Sequence, residues 1–157
     1  MIQISSPITQ LDNTYPIYAV GTRLIAKNGN EYIYLPGTTS VAQYDWVTYK
    51  AITATSPGMS YGSVTRMTTS AGLVGIAQGV ATSNKYGWFQ IGGIGWANAG
   101  GVCASGSPIY SSGTTATVTT TAAASYNVMN AFACGDGQSG GTVKVSINHP
   151  YLNLAVL

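Results

Sequence analysis

Two serine-containing motifs are the residues of this sequence whose types and spacing could support nucleophilic catalysis. The first, Gly58-Met-Ser60-Tyr-Gly62, matches G-x-S-x-G, and Asp136 and His149 follow it in the chain order of α/β-hydrolases. A nucleophile elbow needs a strand before the serine and a helix after it. Here Pro57 disturbs the entry, and residues 64–69 have the composition of a strand. We therefore attribute the match to composition, in a chain with 20 glycines.

The second motif, Gly135-Asp-Gly-Gln-Ser139-Gly-Gly141, resembles the nucleophile loop of chymotrypsin-type proteases with one extra residue. Those proteases place their histidine far upstream of the serine, whereas His149, the single histidine of this chain, lies downstream of Ser139. A triad cannot be assembled in that order. The segment is predicted to be a loop before the final strand.

The remaining residues of the sequence do not indicate a metal site or an acid-base pair. The acids Asp12, Glu31, Asp45 and Asp136 are scattered, and Cys103 and Cys134 lack the paired spacing of a zinc site. Folding could bring two carboxylates together as a glycosidase pair, but nothing in the sequence selects such a pair. We predict a non-enzymatic chain without a cofactor or a metal.

The glycine-rich segment and the two cysteines have simpler interpretations. Residues 92–101 lack the following helix that a phosphate-binding loop requires, and they are predicted to form a strand, a bulge and a turn. The cysteines are predicted to be reduced and buried, although the sequence also permits a single disulfide.

Composition excludes several classes of partner. Charged residues make up 6% of the 157 residues, with a net charge of +2 and no basic cluster, so nucleic acid is not an expected partner. No apolar run approaches the roughly 18 residues of a membrane helix, and the start of the chain does not resemble a signal sequence. We expect synthesis in the cytoplasm and no membrane contact. A surface with so few charges tends to associate, which indicates use inside an assembly.

The elements that must position these residues are predicted to be strands. No 11-residue window carries a helical stripe of apolar residues, and turn residues recur throughout. We predict an all-β fold, a small β-barrel or sandwich of roughly ten short strands. The predicted strands are residues 23–27, 30–35, 45–53, 63–69, 73–82, 87–94, 108–111, 116–121, 127–134 and 142–148, with one weak helical turn at 120–125.

The strongest local pattern is a hairpin with the turn Asn28-Gly29. A two-residue type I′ turn there predicts that Leu24 faces Ile33 and that Ile25 faces Tyr32. Residues 1–15, which contain Pro7 and polar residues without strict alternation and precede Pro16, are predicted to be an extended N-terminal arm. Residues 16–157 are predicted to form a single β domain. The last segment, residues 151–157, is apolar and without charge, so we expect it to be packed against other residues and not exposed.

Five segments together resemble a known family of viral proteins. They are Asp45-Trp-Val-Thr-Tyr49, Gly72-Leu-Val-Gly-Ile-Ala-Gln-Gly-Val-Ala-Thr82, Tyr86-Gly-Trp-Phe-Gln-Ile-Gly-Gly93, Gly106-Ser-Pro-Ile-Tyr110 and Thr142-Val-Lys-Val-Ser-Ile147. Their order resembles the small β-barrel decoration, or cement, proteins of tailed-phage capsids. The resemblance covers roughly two-thirds of the chain, as a pattern of strands.

This resemblance implies a non-enzymatic protein on the outer surface of the capsid, made in the host cytoplasm. It implies a homotrimer that binds the major capsid protein, bridges neighbouring subunits and stabilises the particle. The residues we expect to contact partners are apolar side chains of the arm and aromatic side chains of the strands: Ile4, Ile8, Leu11, Tyr15, Tyr44, Trp46, Trp88 and Trp96.

A tail-fibre or receptor-binding module is the alternative. Such a module is also rich in Gly and Thr, and its aromatic residues could stack on a host-surface glycan. The candidate stacking residues are Tyr44, Trp46, Tyr49, Tyr86, Trp88 and Trp96, although aromatic residues on strands are more often core residues.

Overall fold

The computed structural model describes residues 14–37, 39–53, 59–62, 64–68, 71–80, 82–112, 114–122 and 126–154, and these residues confirm the all-β prediction. The twelve strands are β1 Arg23–Ile25, β2 Glu31–Pro36, β3 Trp46–Tyr49, β4 Ala51–Thr53, β5 Met59–Tyr61, β6 Thr65–Arg66, β7 Gly72–Ala77, β8 Tyr86–Asn98, β9 Pro108–Ser111, β10 Val118–Thr119, β11 Tyr126–Ala133 and β12 Thr142–Leu154. No helix long and apolar enough to cross a membrane occurs in these ranges.

Ten strands form one sheet in the order β1-β2-β8-β7-β12-β11-β9-β10, with β3 paired to β7 and β6 paired to β3. The strands β4 and β5 form a separate antiparallel pair. The strand order begins at β1 and ends at β10, so the sheet is not the closed barrel that the sequence predicts as one alternative, although an isolated bridge joins Val118 of β10 to Ala99 beyond the end of β8.

The sheet forks between its two longest strands. Residues 92–98 of β8 pair with residues 142–148 of β12, and beyond this stretch β7 lies between the two strands. Ile76 and Ala77 of β7 pair with β8, whereas Gly72 and Leu73 pair with β12. At the fork, Gly93 (φ 88°) and His149 (φ 47°) have left-handed backbone conformations.

The fork produces two hydrophobic cores with β3 and β7 between them. Val47 of β3 packs in one core with Ile33 and Phe89, among other residues. Trp46, the adjacent residue of β3, packs in the second core with Val145 and Ile109, among other residues. Since alternate side chains of a strand project to opposite faces, β3 is buried on both faces.

The β1–β2 hairpin forms, but its predicted register is wrong by one residue. The observed pairs are Arg23 with Ile33, Leu24 with Tyr32 and Ile25 with Glu31. Gly29 has a positive φ of 83°, whereas Asn28 does not, and the Gly29 N–H donates to the Ala26 carbonyl at 2.9 Å. The loop is therefore a three-residue turn with a glycine bulge, which shifts the pairing relative to a two-residue type I′ turn.

Several predicted strand boundaries also differ from the structure. Strands β8 and β12 each have 13 residues and are not short. Glycines do not end β8, because β2 and β12 pair with its backbone. Pro150 falls inside β12 at an irregularity in its pairing, where a missing N–H is tolerated. The predicted strand 45–53 divides at Lys50, and residues 120–122 form no helix.

The predicted arm lies almost wholly outside the described residues, which begin at Thr14. The Thr14 hydroxyl accepts a hydrogen bond from Lys85 Nζ at 2.6 Å, and Tyr15 is 77% exposed. From Tyr18 onward the chain packs on the domain, because the Tyr18 ring contacts the rings of Tyr34 and Trp88.

Candidate functional site

The structure places Ser60, Asp136 and His149 in different local environments. Ser60 lies inside β5, opposite Ile52 of β4, and not at a strand-to-helix turn. His149 Nε2 lies 3.0 Å from Glu31 Oε2, and Asp136 Oδ1 accepts a hydrogen bond from the Ser105 N–H at 2.9 Å. Asp136 and His149, which a triad with Ser60 would require, thus contact other residues.

Ser139 is also engaged, because its hydroxyl donates to the Gly100 carbonyl at 3.1 Å. Among the residues that the structure describes, no group of three or more His, Cys, Asp and Glu side chains is arranged to hold a metal. The glycine-rich segment that begins at Gly92 continues β8 as far as Asn98.

The carboxylate of Asp45 is buried and contacts other residues of the fold. Its carboxylate is 1% exposed and lies 2.8 Å from Arg66 Nε. It also accepts hydrogen bonds from the Ala42 N–H at 2.9 Å and from Asn98 Nδ2 at 3.0 Å. The carboxylate therefore joins the turn before β3 to β6 and to the end of β8.

Cys103 and Cys134 do not form a disulfide. Cys103 is 1% exposed, and burial raises the pKa of its thiol above the ordinary value. Cys134 is half-buried.

The predicted partner-contact residues fall into different environments. Trp46 and Trp88 are core residues, so they cannot reach a partner unless the core opens. Tyr44 is half-buried, whereas Tyr15 and Trp96 are exposed. The arm residues Ile4, Ile8 and Leu11 lie outside the described residues.

Trp96 belongs to an exposed sheet surface that we call the outer face. In register across β8, β12, β11 and β9, Ile94 lies opposite Ser146, Ser146 opposite Phe132, and Phe132 opposite Pro108. In the next row Trp96 lies opposite Lys144. Ile94, Trp96 and Phe132 are 52%, 46% and 50% exposed. The outer face thus presents three large apolar side chains with one charged residue among them.

Phe132 was not singled out by the sequence analysis. The signal was present in the alternation of β11, since its small neighbours Ala131 and Ala133 are buried on the opposite face.

A hollow of about 360 Å³ opens on the outer face beside Phe132. It is lined by Asn130, Ala131, Phe132, Ser146, Ile147 and Asn148. Met129 pairs with Tyr151, and Ala131 pairs with Ile147, so one residue of β11 faces three residues of β12. Asn130 (φ 59°) has a left-handed backbone conformation at this irregularity, as His149 does on β12.

A second hollow, of about 470 Å³, lies where β3, β7 and β12 meet. It is lined by Tyr49, Lys50, Ala71, Gly72, Leu73, Tyr151 and Leu152. Apart from Lys50 its side chains are apolar or tyrosines, so it offers few groups that could orient a ligand.

Comparison with known proteins gives a weak match. The chain is similar to the head fiber gp8.5 N base of bacteriophage phi29 at 15% sequence identity and a TM-score of 0.49, over 78% of this chain and 97% of that chain. No family model and no curated protein matches the chain. A similarity at this level is too low to assign a fold family or a function.

Proposed function

We propose that this chain is a non-enzymatic decoration protein of a tailed-phage capsid. The observation that carries the proposal is the position of the five segments that resemble such proteins. Four of them supply β3, β7, β8 and β12, which pair with one another around the fork, and the fifth supplies β9, which joins through β11. The resembling pattern therefore corresponds to one continuous sheet and not to unrelated pieces.

The chemistry of the surface also supports an assembly role. Of the four acids, Glu31 and Asp45 are paired with basic residues, so few carboxylates are available for ionic contacts. The outer face exposes Ile94, Trp96 and Phe132, and Ile17 near the start of the domain is 60% exposed. Contacts made by such a surface depend mainly on apolar burial and on uncharged hydrogen bonds.

In this proposal the protein binds the outside of the shell as a homotrimer and bridges neighbouring major capsid subunits. A standard protein interface buries about 1,200 to 2,000 Å² in total. Three linked copies turn modest single contacts into strong binding when all three sites are within reach. Because the protein binds only the assembled shell, it stabilises that state by mass action and needs no chemistry.

The direct test is binding to purified shells that lack this protein. We expect saturable co-sedimentation and a higher temperature of heat-induced opening for decorated shells. A failure to bind, or equal opening temperatures with and without bound protein, would contradict the proposal.

The arm is tested separately in the full-length chain. Replacing Ile4, Ile8 and Leu11 by Ser is expected to weaken shell binding while leaving a folded β domain. The matched control replaces the polar residues Gln3, Thr9 and Gln10 of the same segment by Ser and should bind as the wild type does. Equal binding by both variants would show that the arm makes no apolar contact with the shell.

A further inference from the structure

The hollow beside Phe132 has hydrogen-bonding groups that the described chain does not use. Asn130 and Asn148 are exposed and Ser146 is half-buried. Within the ranges that the structure describes, none of these three side chains has a hydrogen-bond partner, whereas many other polar side chains do. We propose that this hollow is a binding site for one unit of a neutral saccharide.

The residue types fit a pyranose ring. Each Asn side chain offers an amide donor and a carbonyl acceptor, and the Ser146 hydroxyl is both donor and acceptor, so the three match the mixed donors and acceptors of sugar hydroxyls. Phe132, which is 50% exposed, offers a flat apolar surface for the C–H face of the sugar. Small-molecule sites combine an aromatic surface with a few placed polar groups in this way, at volumes of roughly 300 to 1,000 Å³.

The charges around the hollow favour a neutral ligand over an anionic one. None of the six lining residues is charged. His149, which adjoins Asn148, is directed to Glu31, and that carboxylate also lies 3.6 Å from Arg23. Lys144 lies beyond Ser146 in the next row of the sheet, opposite Trp96. An anionic sugar would therefore find no cation within the hollow itself.

The backbone holds the site in place. Asn130 and His149 are non-glycine residues in the left-handed region, on paired strands, at the irregularity that forms the hollow. Asn tolerates this conformation better than most residues, and such residues concentrate at functional sites. Bulges in sheets also redirect side chains next to binding sites. The amides are thus mounted on two strands of the sheet and not on a mobile loop.

The test is nuclear magnetic resonance of the ¹⁵N-labelled full-length protein, titrated separately with D-glucose, D-galactose, N-acetyl-D-glucosamine and N-acetylneuraminic acid, each to about 50 mM, since single-sugar affinities of millimolar order are expected. At least one neutral sugar should shift the side-chain amide signals of Asn130 and Asn148 saturably. Phe132→Ala should weaken this binding about tenfold, a change that corresponds to about 1.4 kcal/mol. Val80→Ala, which removes an apolar side chain that is 66% exposed and lies outside the hollow, is the control and should bind as the wild type does.

Any one of three results would overturn the assignment. The first is no saturable shift with any neutral sugar, the second is shifts with N-acetylneuraminic acid alone, and the third is equal sugar binding by the wild type and the Phe132→Ala variant. Phe132→Leu keeps the apolar surface but loses the ring, and it replaces Phe132→Ala if that variant does not fold. The inference is independent of capsid binding, because shell co-sedimentation of the same variants reports on the decoration role alone.

Discussion

Gly93 lies at the fork of the sheet, at a position where a side chain does not fit. The Asn30 side chain bonds to both backbone groups of Ile94, with Nδ2 donating to the carbonyl at 2.9 Å and Oδ1 accepting from the N–H at 3.0 Å. This places Asn30 against Gly93, where an added Cβ would lie 2.9 Å from Asn30 Cα and would also clash with Asn30 Oδ1. A side chain at Gly93 is therefore excluded both by its φ of 88° and by its neighbour.

We expect Gly93→Ala to destabilise the fold more than Gly106→Ala does. Gly106 has a similar φ of 79°, but an added Cβ there meets nothing within 4 Å. The left-handed backbone alone costs about 1 to 2 kcal/mol for an alanine. The clash at Gly93 should add roughly 1 to 3 kcal/mol. Urea unfolding of both variants measures the difference, and equal losses would show that the Asn30 contact does not constrain Gly93.

Cys103 predicts a dependence of stability on pH. Burial raises the pKa of its thiol above 9.0 in the folded state, whereas the unfolded chain ionises near that value. Between these two pKa values the unfolded state has lost a proton that the folded state keeps. The contribution of Cys103 is thus complete below about pH 9 and decreases above it, by up to about 1.4 kcal/mol per pH unit.

The measurement is the free energy of unfolding in urea at a series of alkaline pH values. Cys103→Ala should flatten the decrease with pH, whatever it does to stability at neutral pH. Cys134→Ala, at a half-buried cysteine, serves as the control. Identical slopes for the wild type and Cys103→Ala would contradict the assigned cause.

At the scale of elements, one carboxylate joins the turn before β3 to two strands of the sheet. Asp45 contacts the Ala42 N–H, Asn98 at the end of β8 and Arg66 of β6. We expect Asp45→Ala to cost about 2 to 4 kcal/mol, because it leaves the Ala42 N–H without its acceptor and breaks the ion pair of a buried carboxylate. Asn98 Nδ2 keeps its hydrogen bond to the Gln43 carbonyl, and Arg66 stays partly solvated. Asp136→Ala is the control, since that exposed carboxylate accepts one bond from the Ser105 N–H, and its loss should cost about 1 kcal/mol. Chemical unfolding of both variants checks the order, and comparable losses would contradict it.

The sequence predicted the existence of most strands but not their environment. Turn residues and apolar runs identify strands such as β2, β7 and β9, because these signals are local. The register of the β1–β2 hairpin was wrong, since Asn-Gly is compatible with a two-residue turn and with a three-residue turn that places only Gly29 at positive φ. Whether Trp88 or Trp96 is buried depends on the fork, which covers the first half of β8 and exposes one face of the second half.

The hollow could not have been predicted from the sequence. It depends on pairings between β11 and β12 that leave one residue opposite three. Asn130, Ser146 and Asn148 lie in strand patterns that look ordinary, and only the register brings them to Phe132. The catalytic candidates differ in the opposite way, because their motif is visible in the sequence but is not assembled in the fold. The motif included Ser60 and His149, whereas the structure places His149 against Glu31.

At the scale of the whole molecule, the two cores account for the composition of the chain. Strands β3 and β7 lie between the cores and must be apolar on both faces, so much of the 45% hydrophobic content is used internally. The few charged residues that remain leave a surface of hydroxyls, amides and isolated apolar side chains. Such a surface has little charge repulsion to keep copies of the chain apart.

This surface chemistry predicts how the proposed homotrimer responds to salt. If the contacts between copies are apolar and uncharged, screening removes little of their free energy. We expect the dissociation constant of the trimer to change less than about threefold between roughly 0.05 and 0.5 M NaCl, as measured by sedimentation velocity. Lys144→Ala, which removes the one charge among the exposed residues of the outer face, should leave the salt response unchanged.

A stable monomer at concentrations of about 10 μM would contradict the trimer, because a specific obligate interface binds more tightly than this. A trimer that dissociates steeply with added salt would instead contradict the apolar character of its contacts.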